Sequence, residues 1–384
     1  MTCLTMTTAP VPGAVALLQL HGSGVVETLS KLTGKRDWPA GRVRLVSFSD
    51  IDEGLAVVLR TEDADDKAWA QVMPHGGPRV VGRMIEHMVG ELGCVFDAVP
   101  DAITLYPEAQ SPIEADTLHA IAHATSPAAV DLLASQPGLW RTFAQLSVDE
   151  QASQRGEIAS RSRVLNRLLD PPTVVVAGPA NVGKSTLTNR LMGKAVSLVA
   201  DLPGTTRDWV GAVVELDCSS AGSDVPPSGQ GEKSLERSAI AVRWLDTPGL
   251  RDSDDPVEQR AIQLASSVIR QADVLVAMRD AEQGWPPADK LPRTPDLWVI
   301  NKIDDAASHV GLRAGQPEGI GKSPDTPLAI SAMQGAGLDA LQRLVLGQLG
   351  LMDLVPDTLW AFSEKLQHAI DDGLGEAMHS YVGV

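Results

Sequence analysis

Long hydrophobic runs are missing from this 384-residue sequence, although 43% of its residues are apolar. No stretch reaches the roughly 18 apolar residues that a membrane-spanning helix requires, so a soluble globular protein is expected. Cysteine is scarce. Cys3, Cys94 and Cys218 are far apart, with neither metal-ligand spacing nor a disulfide framework, which fits a reducing, cytoplasmic setting. The opening MTCLTMTTAPVPG has no basic segment ahead of an apolar core, so no secretory signal is expected. Positive charge is also short, with 32 Lys and Arg against 49 Asp and Glu, a formal net charge of −17. Bulk charge therefore gives no sign of a large nucleic-acid surface, which needs clustered cations, although a local basic patch stays compatible.

The most informative stretch is TVVVAGPANVGKSTLTN, residues 173–189. Val174, Val175 and Val176 suit a strand buried on both faces, and Thr186 onward reads as the start of a helix. Between them Gly178-Pro-Ala-Asn181-Val182-Gly183-Lys184-Ser185 has the GxxxxGK[ST] form in its required strand-to-helix setting. Glycines let backbone N–H groups turn around a phosphate at the positive end of the helix dipole. Lys184 can reach the β- and γ-phosphates, and the Ser185 hydroxyl can ligate Mg²⁺. This is a nucleotide site.

Further stretches choose the nucleotide. Asn301-Lys302-Ile303-Asp304 follows an apolar strand. A carboxylate there accepts two hydrogen bonds from guanine N1–H and its exocyclic amine, a donor pair adenine lacks. Ser331-Ala332 suits the loop that supports the base. Asp246-Thr247-Pro248-Gly249 ends a strand where an aspartate holds Mg²⁺ through water and the Gly249 N–H senses the γ-phosphate. Pro203-Gly204-Thr205-Thr206-Arg207-Asp208 lies where a switch threonine completes the Mg²⁺ shell.

The rest of the chain reads as supporting domains. Strands are expected at 14–20 and 52–61, then a helix carrying Val80, Val81, Met84, Ile85, Met88, Val89 and Leu92 on one face, together a small α+β domain. Helices follow at 112–135, with Ser126 as cap and Pro127 in the first turn of the second, and a single helix at 140–170. From 171 the segments alternate: strands 236–247, 273–280, 296–304 and 326–332, with helices 256–272 and 338–350. That is a doubly wound, mostly parallel sheet. Residues 219–235 and 305–325 read as mobile surface loops, and one helix at 357–372 precedes a short tail. The expected domains are 1–103 (α+β), 104–170 (helical), 171–350 (GTPase) and 351–384 (helical remainder). His119 and His123 share a helix face without an evident third metal ligand, and are expected as exposed surface. His75 is expected as part of a turn, and Trp209 as a reporter of switch movement.

The set GPANVGKST, PGTTRD, DTPGLRD, NKID and SA resembles GTPases of the TrmE–Era–Der group, and within it the tRNA-modification GTPase MnmE (TrmE) family. The segments APVPGAVALLQLHGSG, HGGPRVVGRMIEHMV and PIEADTLHAIAHATSPAAVDLL extend the resemblance over most of the chain. It implies an α/β P-loop GTPase domain inserted in or following a helical domain, with an N-terminal α+β domain. It implies GTP/GDP binding by Gly178, Asn181, Val182, Gly183, Lys184, Ser185, Thr186, Thr205, Thr206, Asp246, Gly249, Asn301, Lys302, Asp304, Ser331 and Ala332. Mg²⁺ falls to Ser185, Thr206 and Asp246, and K⁺ to Asn181 with backbone oxygens around Leu202 and Gly204. Lys184, Thr206 and Glu258 form the catalytic set. Leu250 stands where Ras-like proteins orient water with glutamine, so the family's glutamate, here Glu258, is expected to do so; a helix-capping role for it is the alternative. The partners implied are a second copy through the N-terminal and G domains, an FAD-dependent modification enzyme and tRNA, with no membrane.

The resemblance thins elsewhere. No cysteine follows Cys218, where the family has a C-terminal cysteine motif. Val11-Pro12-Gly13 replaces its arginine-bearing turn, and its PGEF-type segment is not recognisable, so a folate-derivative site is not implied. Two readings stay open: a GTPase of wobble-uridine tRNA modification, and a regulatory GTPase switch gating a ribosomal or other partner.

Overall fold

Alternating burial shapes the first unit, residues 1–119 with 380–383. A computed structural model describes residues 1–8, 12–61, 68–193, 195–198, 210–217, 239–247, 266–303, 320–352, 354–372 and 376–383. Strands β1 (Thr2–Met6), β2 (Leu18–Gly22), β3 (Arg44–Phe48), β4 (Asp52–Arg60), β5 (Ala68–Met73) and β6 (Val95–Phe96) form one sheet. Its order is β3-β4-β5-β2-β1-β6, with only β1–β6 parallel. In β5 every second residue, Ala68, Ala70 and Val72, is fully buried, as a one-face sheet demands. Helices α1 (Val25–Thr33) and α2 (Pro78–Gly90) supply Leu29, Met84 and Met88 to the same core as Leu4, Leu18 and Phe48. The short α3 (Ala102–Leu105) and α4 (Pro112–His123) follow.

The strand expected at 14–20 lies instead at 18–22, and Val15 makes only an isolated bridge to His75. Strands β1, β3, β5 and β6 were not anticipated. β1 hides because two of its three buried residues are threonines, whose hydroxyls donate to Ser23 O (2.9 Å) and Asp97 O (2.8 Å). Buried polarity satisfied in this way leaves no hydrophobic pattern to read.

In the second unit, residues 120–379, helices α5 (Pro127–Ala134), α6 (Gln136–Ala144) and α7 (Val148–Leu165) come first. The single helix expected at 140–170 is thus two. Ser147 breaks it: its side chain accepts from Glu150 N–H while the Glu150 carboxylate accepts from Ser147 N–H, a capping box that starts α7. β7 (Thr173–Ala177), α8 (Lys184–Met192), β8 (Ala195–Leu198), β9 (Val210–Asp217) and β10 (Ala239–Asp246) follow. Then come α9 (266–271 in its described part), β11 (Val274–Arg279), β12 (Leu297–Ile300), β13 (Leu328–Ala329) and α10 (Leu338–Leu349). The sheet order is β13-β12-β11-β7-β10-β9-β8, parallel from β13 through β10 and antiparallel at β9 and β8. This is the expected α/β fold, with β7 central and fully buried from Val174 to Ala177.

Two further corrections concern loops and the end of the chain. Residues 320–325, expected within a mobile loop, are tied to β12: Gly321 N–H donates to Thr326 O (2.6 Å) and Trp298 N–H to Gly321 O (2.7 Å). The helix expected at 357–372 begins only at 364 (α11, Glu364–Asp372), and the tail contains α12 (Glu376–Val382). Residues 358–361 instead lie along α6 and α7. Gln136 Nε2 donates to Thr358 O (2.9 Å), Trp140 Nε1 to Trp360 O (3.1 Å) and Ala361 N–H to Ser162 Oγ (2.8 Å). Those side-chain bonds replace the helical ones. The insert at 219–235 lies outside the described residues.

Candidate nucleotide site

The site gathers at the C-terminal ends of parallel strands β7, β10, β11 and β12, where open α/β sheets bind ligands. After β7 the chain must pass close beside β11. A side chain at Gly178 would place its Cβ 2.1 Å from Met278 O, so only glycine fits. Gly183 has φ +95°, and a Cβ there would meet Asn301 Nδ2 at 2.2 Å. Asn181 also takes a left-handed conformation, φ +65°. Lys184, 7% exposed, turns back across its own loop and donates to Gly178 O (3.0 Å) and Pro179 O (2.8 Å). Val182 is buried, while Asn181, Ser185 and Thr186 are exposed.

Ser185 Oγ donates to Asp246 Oδ2 at 2.6 Å, which joins the first turn of α8 to the end of β10. Asp246 is 7% exposed, and its Oδ1 is buried without a hydrogen-bond partner among the described residues. Burial pushes its carboxyl pKa up, against the pull of the Ser185 bond and the nearby Lys184 charge. A hydroxyl and a carboxylate with a free buried oxygen form a hard oxygen-donor set, which fits Mg²⁺. Thr247 fixes the strand end by donating from N–H (3.3 Å) and Oγ1 (2.8 Å) to Val176 O.

On the base side Asn301, 2% exposed, works in both directions. Its Nδ2 donates to Val182 O (2.9 Å) and its Oδ1 accepts from Ala332 N–H (2.9 Å), so one amide locks the phosphate loop to the base loop. Ser331, fully buried, turns that loop by accepting from Gln334 N–H at 3.0 Å. Lys302, at φ +64°, pairs with Asp280 at 2.9 Å.

The structure therefore brings Gly178, Asn181, Val182, Gly183, Lys184, Ser185, Thr186, Asp246, Asn301, Lys302, Ser331 and Ala332 to one edge of one sheet. Leu202, Gly204, Thr205, Thr206, Trp209, Gly249, Leu250, Glu258 and Asp304 lie outside the described residues. His75 sits in its turn with Nδ1 2.9 Å from Asp52 Oδ1, and the exposed His119 packs edge-on to Tyr106.

Three residues belong to this site that no motif pointed to. Asp280, at the end of β11, holds Lys302. Gln283, three residues on, donates from Nε2 to Ala180 O (3.1 Å). Arg190 on α8 donates to Met333 O (3.2 Å) and Gln334 O (3.3 Å). The only sequence signal was a carboxylate at the C-terminal end of an apolar strand, in AMRD.

A family profile described as 50S ribosome-binding GTPase matches residues 173–302, which span β7 to the start of the base loop. The tRNA modification GTPase MnmE of Acidiphilium cryptum is 30% identical over 411 residues, covering 96% of this chain and 82% of its own length. The chain belongs to the MnmE family. The MnmE protein of Rhodopseudomonas palustris is 29% identical over 387 residues, covering 89% of this chain and 80% of its own length. That of Bordetella bronchiseptica is 27% identical over 420 residues, covering 95% and 85%. Among solved structures, the FeoB G-domain from Methanococcus jannaschii is 19% identical and covers 47% of this chain and 98% of its own, with a TM-score of 0.27. That last likeness is too remote to bear on the site. As a member of the MnmE family the chain is a GTP-hydrolysing enzyme, and its loops bind a guanine nucleotide. Among the described residues no helix is long and apolar enough to cross a membrane.

Proposed function

We propose that the chain supplies the GTPase step of tRNA wobble-uridine modification, with Mg²⁺ and K⁺ assisting. The observation that carries the GTPase part is the single bonded edge in which Asn301 ties Val182 to Ala332 while Ser185 meets Asp246. The tRNA part rests on family membership across the N-terminal and helical segments as well as the G domain.

In hydrolysis a water oxygen attacks the γ-phosphorus, the bond from that phosphorus to the bridging oxygen breaks, and GDP leaves with that oxygen. Lys184, now on its own loop carbonyls, is placed to transfer its donors to the β- and γ-phosphates. Ser185 and Asp246 would hold Mg²⁺ with Thr206, and the ion when bound neutralises charge developing on the phosphate oxygens. Asn181 supplies an oxygen donor for K⁺, and Glu258 orients the attacking water where Ras-like proteins use glutamine. A second copy and an FAD-dependent enzyme are the partners in this reading.

Steady-state phosphate release tests the chemistry. Glu258→Ala is expected to lower kcat at least tenfold with GTP affinity unchanged, and K⁺ is expected to support a faster rate than Na⁺. A wild-type rate in the variant removes Glu258, and equal rates in the two salts remove K⁺. A ribosome-associated switch is the second reading, favoured by the profile description over residues 173–302. Mass spectrometry of tRNA nucleosides from a deletion strain separates the two: loss of modified wobble uridines supports the first, and unchanged uridines with cosedimentation on large ribosomal subunits support the second.

A further inference from the structure

A loop that receives an anion must turn its carbonyls away from it, and those carbonyls then need donors elsewhere. In the loop 178–185 most of the donors can be traced. Lys184 serves Gly178 O and Pro179 O, and Asn301 serves Val182 O. Gly183 O accepts from Leu187 N–H (3.0 Å), and Ala180 O accepts from Gln283 Nε2 at 3.1 Å, across 103 positions of sequence. The left-handed Asn181 therefore sits between two carbonyls, each held by a side-chain amide from another strand end. A non-glycine residue in that conformation is costly unless its surroundings fix it.

Gln283 is itself held firmly. Asp280, 3% exposed, accepts through Oδ1 from Glu282 N–H (3.1 Å) and Gln283 N–H (2.8 Å), while its Oδ2 takes Lys302 Nζ (2.9 Å). Arg279 Nη1 donates to Asp280 O (3.1 Å) and Gln283 O (3.4 Å), and its guanidinium lies over Trp285, 4.8 Å from the ring centroid. The turn after β11 is thus closed on itself and extends one free amide to the phosphate loop. Its role differs from that of the other two donors. Lys184 is drawn away by an arriving phosphate, and Asn301 also supports the base loop; among the described residues the Gln283 side-chain amide donates to the phosphate loop, at Ala180 O.

We propose that Gln283 is a positioning residue for nucleotide binding, a tether that keeps the Ala180–Asn181 peptide in its phosphate-receiving conformation. This deepens the GTP-binding reading and rests on it. The tether needs a donor of the right reach and no charge. Gln283→Met keeps the length and removes the donor, whereas Gln283→His at pH 8 keeps a neutral ring N–H.

The experiment is titration of the full-length chain with a fluorescent GDP analogue, alongside thermal melting of the nucleotide-free protein. A single hydrogen bond predicts a five- to tenfold rise in Kd for Gln283→Met, a change within twofold for Gln283→His, and little shift in melting. Gln283→Ala takes the place of the methionine variant if that one is insoluble. A methionine variant binding GDP within twofold of wild type overturns the tether, whatever its melting temperature. Equal weakening in the methionine and histidine variants also overturns it, because shape rather than the donor would then matter. A wild-type chain that binds no guanine nucleotide overturns both this proposal and the reading beneath it.

Discussion

Asn301 carries more of the site than its place in a tetrapeptide suggests. Replacing it with alanine leaves Val182 O and Ala332 N–H buried without partners, at about 1–3 kcal/mol for each. We expect Asn301→Ala to lower the urea midpoint with an unchanged slope and to abolish measurable GDP binding. Asp280 titrates in the opposite sense to Asp246. Burial raises its pKa, but the Lys302 bond and charge and the Gln283 and Glu282 N–H donors outweigh this and hold it below the ordinary aspartate value, about 4. A depressed carboxyl contributes stability above its unfolded pKa and loses it as pH falls through the folded one. Thermal midpoints between pH 7 and pH 3 should therefore fall less steeply in Asp280→Asn than in wild type, and the variant should start lower at pH 7. Lys184, Ser185, Asp246 and Asn301 were legible in the sequence because their chemistry is bound to local backbone patterns. Asp280, Gln283 and Arg190 were not, since each acts on a partner distant in sequence.

At the scale of the element, Ser126 shows a local signal overridden by packing. Ser-Pro reads as a helix cap, and α5 does begin at Pro127, yet the Ser126 side chain makes no cap bond. β10 runs past the start of β7, whose pairing with it begins only at Arg243 and Thr173, which leaves Ala241 N–H facing the gap. Ser126 Oγ accepts that N–H at 3.0 Å in a fully buried setting. An orphaned buried N–H costs more than a lost cap, so the hydroxyl goes to the strand. Ser126→Ala should cost about 1–3 kcal/mol in urea unfolding, and Ser126→Thr, which keeps the hydroxyl, should recover part of it. In α7 local and tertiary preferences agree: the Ser147 and Glu150 pair both marks and makes the start of the helix. The five strands of the second sheet from β13 through β10 were legible because their mostly apolar runs mark burial, whereas the antiparallel β8 and β9 were not expected, and β9 alternates in burial. β1 and β5, lined with threonine and alanine, carried no such run.

The whole chain divides into two units with separate cores, one built on the six-stranded sheet and one on the seven-stranded sheet. Every described nucleotide-site residue lies in the second. GDP at a hundred times its Kd adds about 2.7 kcal/mol to whatever binds it. Calorimetric melting with and without GDP should accordingly raise one transition and leave the other in place; a uniform shift of the whole endotherm would mean that the units unfold together. The sequence by itself determined the ligand and the α/β character of the second unit. Phosphate loops, base loops and doubly buried strands are each specified by residues close together along the chain. Tertiary structure decided which distant groups hold those loops still. Gln283 reaches Ala180, Asp280 reaches Lys302 and Ser126 reaches Ala241 because a buried carbonyl, charge or N–H must find a partner wherever the fold brings one within about 3 Å.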